Sequence, residues 1–186
     1  MKKTIFLLFL LVGFGLSASA QISGGIKGGL NFAKLDYDLD GVDPKSKTGF
    51  HVGVFADISL AGIGIMPEAY ISFQGSEFDG GGELDLTYIQ VPILLKKSFA
   101  KVLNIHLGPQ FGILTTAEDE DGEDVKEFLK GSDLSLAVGA GLDLPIGLSA
   151  GLRYVYGLSD INDSPADVKI QGRTIQLYAS YKLFGN

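Results

Sequence analysis

From Leu103 onward the chain alternates: Leu103, Ile105, Leu107, Phe111 and Ile113 are apolar, and Asn104, His106, Gly108, Gln110 and Gly112 between them are polar or small. A period of two is the side-chain repeat of a β-strand. The next stretch sets Leu134, Leu136, Val138, Ala140, Leu142 and Leu144 against Asp133, Ser135, Ala137, Gly139, Gly141 and Asp143. Leu148, Ala150, Leu152, Tyr154, Tyr156 and Leu158 then oppose Ser149, Gly151, Arg153 and Gly157. The last run sets Ile175, Leu177, Ala179, Tyr181 and Leu183 against Thr174, Gln176, Tyr178, Ser180 and Lys182. Residues 22–33, 49–60, 63–74 and 85–99 alternate with more interruptions, which makes about eight strands. Pro67, Pro92 and Pro109 fall inside three of them, and a residue with no N–H to give predicts a sheet edge or a bulge there.

The connections are of two kinds. Those near Ala61-Gly62, Ala100-Lys101 and Pro145-Ile146 are a few residues long, whereas 34–48, 76–84, 116–132 and 159–171 are long. Short and long connections alternate along the chain, so an up-and-down antiparallel sheet puts all the short turns at one end. An even strand number brings both termini to that same end. In the third long connection Val125, Phe128 and Leu129 stand at helical spacing, which predicts a helical turn within 123–130.

Alternation alone suits a soluble lipocalin-like barrel as well as a membrane one. A soluble barrel keeps bulky apolar side chains inside and a charged exterior, and a solvated surface is about 25–35% charged. Here the polar face is chiefly Gly, Ser, Asn, Gln and Tyr, with few charges per strand. Such a face suits a narrow lumen filled by side chains, which turns the Leu/Ile face toward lipid. Lys27, Asp57, Glu68, Lys96, Asp133, Asp143, Arg153 and Lys182 are the charged positions assigned to that interior. In hydrocarbon every backbone donor and acceptor must be paired within the protein, which a closed barrel achieves, and tilted strands of about 10 residues are long enough to cross. The expected fold is all-β: an eight-stranded antiparallel up-and-down transmembrane β-barrel in a bacterial outer membrane. Tyr88, Tyr154, Tyr156, Tyr181, Phe50, Phe99 and Phe184 are expected in the aromatic girdles at the two interfaces.

The N-terminus supplies the route to that membrane. Lys2 and Lys3 precede an apolar stretch that ends in Ala18-Ser19-Ala20, the form of a secretory signal with a small-residue cleavage site. Residues 1–20 are therefore read as a cleaved signal peptide and 21–186 as one outer-membrane β-barrel domain. The chain has no cysteine, so neither a disulfide nor a lipid-anchoring cysteine is available. Without the two signal lysines, 13 basic residues face 22 acidic ones. That balance argues against nucleic acid, whose phosphates need Lys/Arg patches.

Several segments carry a family resemblance: IKGGLNFAKL in the first strand, MPEAYISFQGSEF in the third, LTYIQVPILLKK in the fourth, HLGPQFGIL in the fifth, and VGAGLDL followed by GLRYVYGLSDI in the sixth and seventh. In these the chain resembles the PorT-like outer-membrane β-barrel family of the Bacteroidota over nearly its whole mature length. The resemblance implies an eight-stranded outer-membrane barrel and offers no catalytic residues to transfer.

Candidate chemistry is sparse. Glu68 and Arg153 share the lumen phase and are expected to join Lys27 or Lys96 in an interior ion-pair network, whose role would be to fix register and seal the lumen. His51 and His106, the two histidines, also fall in the lumen phase, without a nucleophile elbow or a zinc-binding spacing around either. Asp36, Asp38 and Asp40 match the opening of a calcium loop, but its twelfth position is Lys47 rather than a bidentate Glu. They remain weak candidates for Ca2+ or Mg2+ on the external loops, alongside the acidic run 118–124, and no cofactor is otherwise expected. The reading is a non-enzymatic, monomeric barrel in contact with outer-membrane lipid, in a structural or interaction role with acidic external loops. Its rivals are a module whose loops bind an extracellular protein or glycan, a narrow channel, a soluble secreted barrel, and a lipid hydrolase using a histidine.

Overall fold

A computed structural model describes residues 21–37, 45–77, 82–100, 102–163 and 169–185. The signal assigned to 1–20, and with it Asp38 and Asp40, lies outside the described residues. Eight strands form in chain order: β1 (Gln21–Tyr37), β2 (Lys45–Leu60), β3 (Ile63–Glu77), β4 (Glu83–Phe99), β5 (Leu103–Asp119), β6 (Ser132–Asp143), β7 (Leu148–Gly157) and β8 (Ile170–Phe184). Each pairs antiparallel with the next, and β8 returns to β1 to close the barrel. Both ends of the chain of strands lie at the short-turn end, as an even strand number requires.

Most strands run further at the long-loop end than alternation suggests. β1 and β8 pair through Tyr37 and Ile170, and β4 and β5 through Leu84 and Asp119. A strand needs about 10 residues to cross hydrocarbon, so strands of 15 to 17 residues carry the sheet beyond it. There the outward positions change from Leu and Ile to Lys34, Asp36, Lys47, Glu83 and Asp85, which belong in water.

The prolines produce neither an edge nor a slip of register. Each stands at a two-residue gap in one of its two ladders: Ala56 and Asp57 against Met66 and Pro67, Glu68 and Ala69 against Val91 and Pro92, Ile93 and Leu94 against Gly108 and Pro109. In the β3–β4 and β4–β5 ladders the same register resumes on the far side of the gap. The missing N–H groups are accommodated because each strand keeps its other neighbour. At Ala61-Gly62 both residues have positive φ (52° and 78°), the backbone of a two-residue hairpin turn whose twist matches that of the strands.

The faces sort as the alternation requires for lipid outside. Ile22, Ile26, Leu30, Val52, Val54, Ile65, Ile89, Leu107, Ile113, Val138, Leu152 and Leu177 are exposed on the exterior. Lys27, Asn31, His51, Glu68, Gln90, Lys96, His106, Arg153 and Gln176 are buried inside. A lipocalin-like barrel would have these two sets exchanged, so that alternative does not describe the structure. Phe50, Phe99, Tyr154, Tyr181 and Phe184 are exposed on the outer surface, and Phe50 stacks on Phe73 at 4.5 Å. Tyr88 does not belong to the girdle: it is buried in the lumen, because it shares the parity of Gln90 and Lys96 rather than that of Ile89 and Val91.

Leu107 faces outward near the middle of the bilayer-crossing part of β5. Replacing it with Arg is expected to cost about 2–4 kcal/mol of folding free energy in lipid vesicles, measured by urea titration, because a lipid-facing charge at mid-depth loses its solvation. An unchanged midpoint would mean that this face meets water.

Candidate functional site

Most of the lumen is filled by polar side chains, with one apolar cluster of Met66, Leu94, Ala137 and Val155 among them. In an eight-stranded barrel β3 and β7 stand on opposite walls, and Glu68 of β3 meets Arg153 of β7 across the interior. The guanidinium forks onto the carboxylate through Nη1–Oε2 at 2.7 Å and Nη2–Oε1 at 2.8 Å. Lys27, on β1 between those walls, donates to Glu68 Oε2 at 2.8 Å. All three side chains are essentially inaccessible to water. Lys27 Nζ also lies 4.3 Å from the centre of the Tyr178 ring, close enough for the face of the ring to share its charge.

Both histidines are fixed by this network. Arg153 Nε donates to His106 Nε2 at 3.3 Å, so that nitrogen is an acceptor and Nδ1 carries the proton toward Asn104 Oδ1 at 3.2 Å. Asn31 Nδ2 donates to Ser72 Oγ and to the carbonyls of Phe50 and Phe73, which leaves Asn31 Oδ1 to accept from His51 Nδ1 at 2.8 Å and from Gln176. Among the described residues the side-chain partners of the two histidines are Asn31, Asn104 and Arg153, none of them a hydroxyl. Gly139 lies between Arg153 and His106 in the sheet, and a Cβ there would stand 2.4 Å from His106 Nε2. The glycine is what lets the guanidinium and the imidazole meet.

Lys96 is not part of the central cluster. It forms a second one toward the short-turn end, pairing with Asp57 at 2.9 Å and Asp143 at 3.0 Å, while Ser149 Oγ donates to Asp143. Of the expected alternatives, Lys27 therefore joins Glu68 and Arg153, and Lys96 stands apart. The central cluster carries two cations for one anion and the lower one two anions for one cation. They share the lining of a cavity of about 20 Å³, room for about one water.

The long-loop end is closed by something alternation does not display. Leu35, Leu86, Tyr88, Leu114 and Ala117 turn inward at the tops of their strands and pack with Leu129 and Ile161 from the two long connections that follow β5 and β7. The connections hold one another through Lys130 N to Ile161 O at 2.8 Å and Asp163 N to Phe128 O at 2.9 Å. Asp160 Oδ1 accepts from the backbone N–H groups of Ile170 and Asn162, and those bonds hold its carboxyl below the usual range. The expected helical turn is a single 3-10 turn at Lys126–Phe128, which supplies Leu129 to the lid while Phe128 stays exposed. The signal in the sequence was a change of identity at inward positions, from Asn31 and Gln90 to Leu35 and Leu86.

Along the sequence, 17 of the 22 acidic residues and six of the 15 basic ones belong to 34–48, 76–84, 116–132 and 159–171. Asp36, the described member of the calcium-like triplet, is ion-paired with Arg173 at 2.5 Å and Lys34 at 3.2 Å. Among the described residues no group of three or more His, Asp and Glu side chains is arranged to hold a metal ion.

Glu68→Ala removes the counter-charge of two buried cations. The expected loss is about 3–5 kcal/mol, read as a lower temperature for the heat-induced gel shift of the folded barrel. An unchanged shift would mean that the pair contributes nothing to stability.

The architecture recurs in solved outer-membrane proteins. The attachment invasion locus protein Ail of Yersinia pestis is 17% identical, with 89% of this chain and 99% of that one covered at a TM-score of 0.55. Ail in complex with the heparin analogue sucrose octasulfate gives 0.52 over the same coverage. Neisserial surface protein A is also 17% identical, covering 86% of this chain and 97% of that one at 0.55. No curated protein sequence matches the chain. Residues 17–163 match the model of the outer membrane protein beta-barrel domain family, and with the closed barrel this places the chain in that family of outer-membrane proteins.

Proposed function

We propose that this is a non-enzymatic integral outer-membrane protein that acts as a structural or interaction element through acidic external loops, its lumen being closed. The observation that carries the reading is the Glu68–Arg153–Lys27 cluster, which joins opposite walls at the centre of the barrel. Below it lies the Lys96 cluster and above it the apolar lid. The cavities between these layers have volumes of about 20 and 30 Å³, on the scale of single waters, which argues against a conducting path. Residues 1–20 act in this reading as the export signal, the folded barrel is a monomer, and the segments from IKGGLNFAKL to GLRYVYGLSDI put it near the PorT-like barrels of the Bacteroidota.

The loops favour one kind of ligand over another. Ail was crystallised with a heparin analogue, a polyanion. Here such a ligand would meet 17 acidic residues and six basic ones, and like charge suppresses encounter. A cationic protein surface, or divalent cations at the loops, fits that field better.

Reconstitution into planar lipid bilayers separates the closed barrel from a channel. No discrete conductance steps are expected for the wild-type protein. Regular ion-conducting steps that persist in a preparation showing the heat-shifted folded band would replace this reading with a channel.

A further inference from the structure

Gln90, Gly112 and Asp133 are neighbours in one row of the sheet, on β4, β5 and β6. All three face the lumen, and Gly112 has no side chain. Into that socket point Asp133 Oδ1, 1.7 Å from where a Cβ on Gly112 would sit, and Gln90 Oε1, 3.0 Å from the same point. Both oxygens are buried without a hydrogen-bond donor, and Gln90 as a residue is only 3% exposed. Two lone-pair-bearing atoms facing one another call for an electron-poor guest.

Charge decides what kind. Asp133 Oδ2 accepts from Ser135 Oγ at 2.9 Å, a neutral donor. Among the described residues no Lys, Arg or His forms an ion pair with Asp133, unlike Glu68, Asp57 and Asp143. Turning the Gln90 amide over would supply one N–H but no positive charge, and a bridging water would also leave the carboxylate uncompensated. A cavity of about 30 Å³ adjoins the socket, lined among others by Gln74, Gln110, Ser135 and Thr174, oxygen-bearing side chains all. Hard cations prefer such ligands. A single carboxylate among neutral oxygens matches one positive charge rather than two, since divalent sites gather several carboxylates.

We infer that Asp133 and Gln90, meeting over Gly112 beneath the lid, bind one monovalent hard cation of the sodium type. The site lies just under Leu86 and Ile161, so the ion ties the lid ends of β4 and β6 together across β5 and stabilises the closed mouth. This goes beyond the proposed role of the loops and does not depend on it.

The test is thermal unfolding of the detergent-folded protein as choline chloride is replaced by sodium chloride at constant ionic strength. The wild-type midpoint is expected to rise saturably, by about 3–5 °C per tenfold sodium above half-saturation. Asp133→Asn keeps the shape, removes the charge, and should fold with a midpoint that ignores sodium. An equal rise in both proteins would overturn the site, and so would a flat wild-type response. A wild-type midpoint that ignores sodium but climbs on acidification would assign the balancing charge to a proton and equally overturn it.

Discussion

A carboxylate held by a guanidinium and an ammonium inside a barrel only eight strands wide is the constraint on which the rest of this structure depends. Burying three charges is costly unless each finds opposite charge in good geometry. Glu68, Arg153 and Lys27 satisfy that condition in a single arrangement: one from β3, one from the opposite wall and one from β1 between them. A slip of one residue in any of those strands would turn its charge toward lipid. The cluster thus fixes register around the barrel in a way that the outward Leu and Ile residues, each interchangeable with the next, cannot.

The small residues of the polar face follow from the same constraint. Lys27, Gly53 and Tyr70 are row neighbours on β1, β2 and β3, and Gly139 separates Arg153 from His106. Large polar side chains are interleaved with glycines because the lumen has room for one or the other at each height. Packed in this way much of the interior serves as a polar core, with hydrogen bonds where a soluble domain would have methyl groups, beside one apolar cluster of Met66, Leu94, Ala137 and Val155.

Much of this was legible in the sequence, for a physical reason: lipid imposes a strict period of two on a strand whose other face is polar. Strand number, direction, the positions of the short turns and the inward phase of Glu68, Lys27, Lys96 and Arg153 all follow from that period. Which charges meet does not, since it depends on contacts across the barrel. Even so, β3 and β7 are four strands apart in a ring of eight, which already points Glu68 at Arg153. Tyr88 goes to the lumen rather than the girdle because parity, not aromatic character, decides which face of a strand a side chain takes. The lid is not legible in the same way, because Leu129 and Ile161 lie in connections with no period, and their partners Leu35 and Leu86 look like the ends of ordinary strands.

The claim that this cluster organises the barrel is tested most directly by a double-mutant cycle on Glu68 and Arg153, with unfolding free energies measured in lipid vesicles for the two single alanine variants and the double. A coupling of about 2–4 kcal/mol is expected, because the second truncation removes a charge that the first had left without a partner. Effects that add to within about 0.5 kcal/mol would show the two side chains to be energetically independent, and would contradict it.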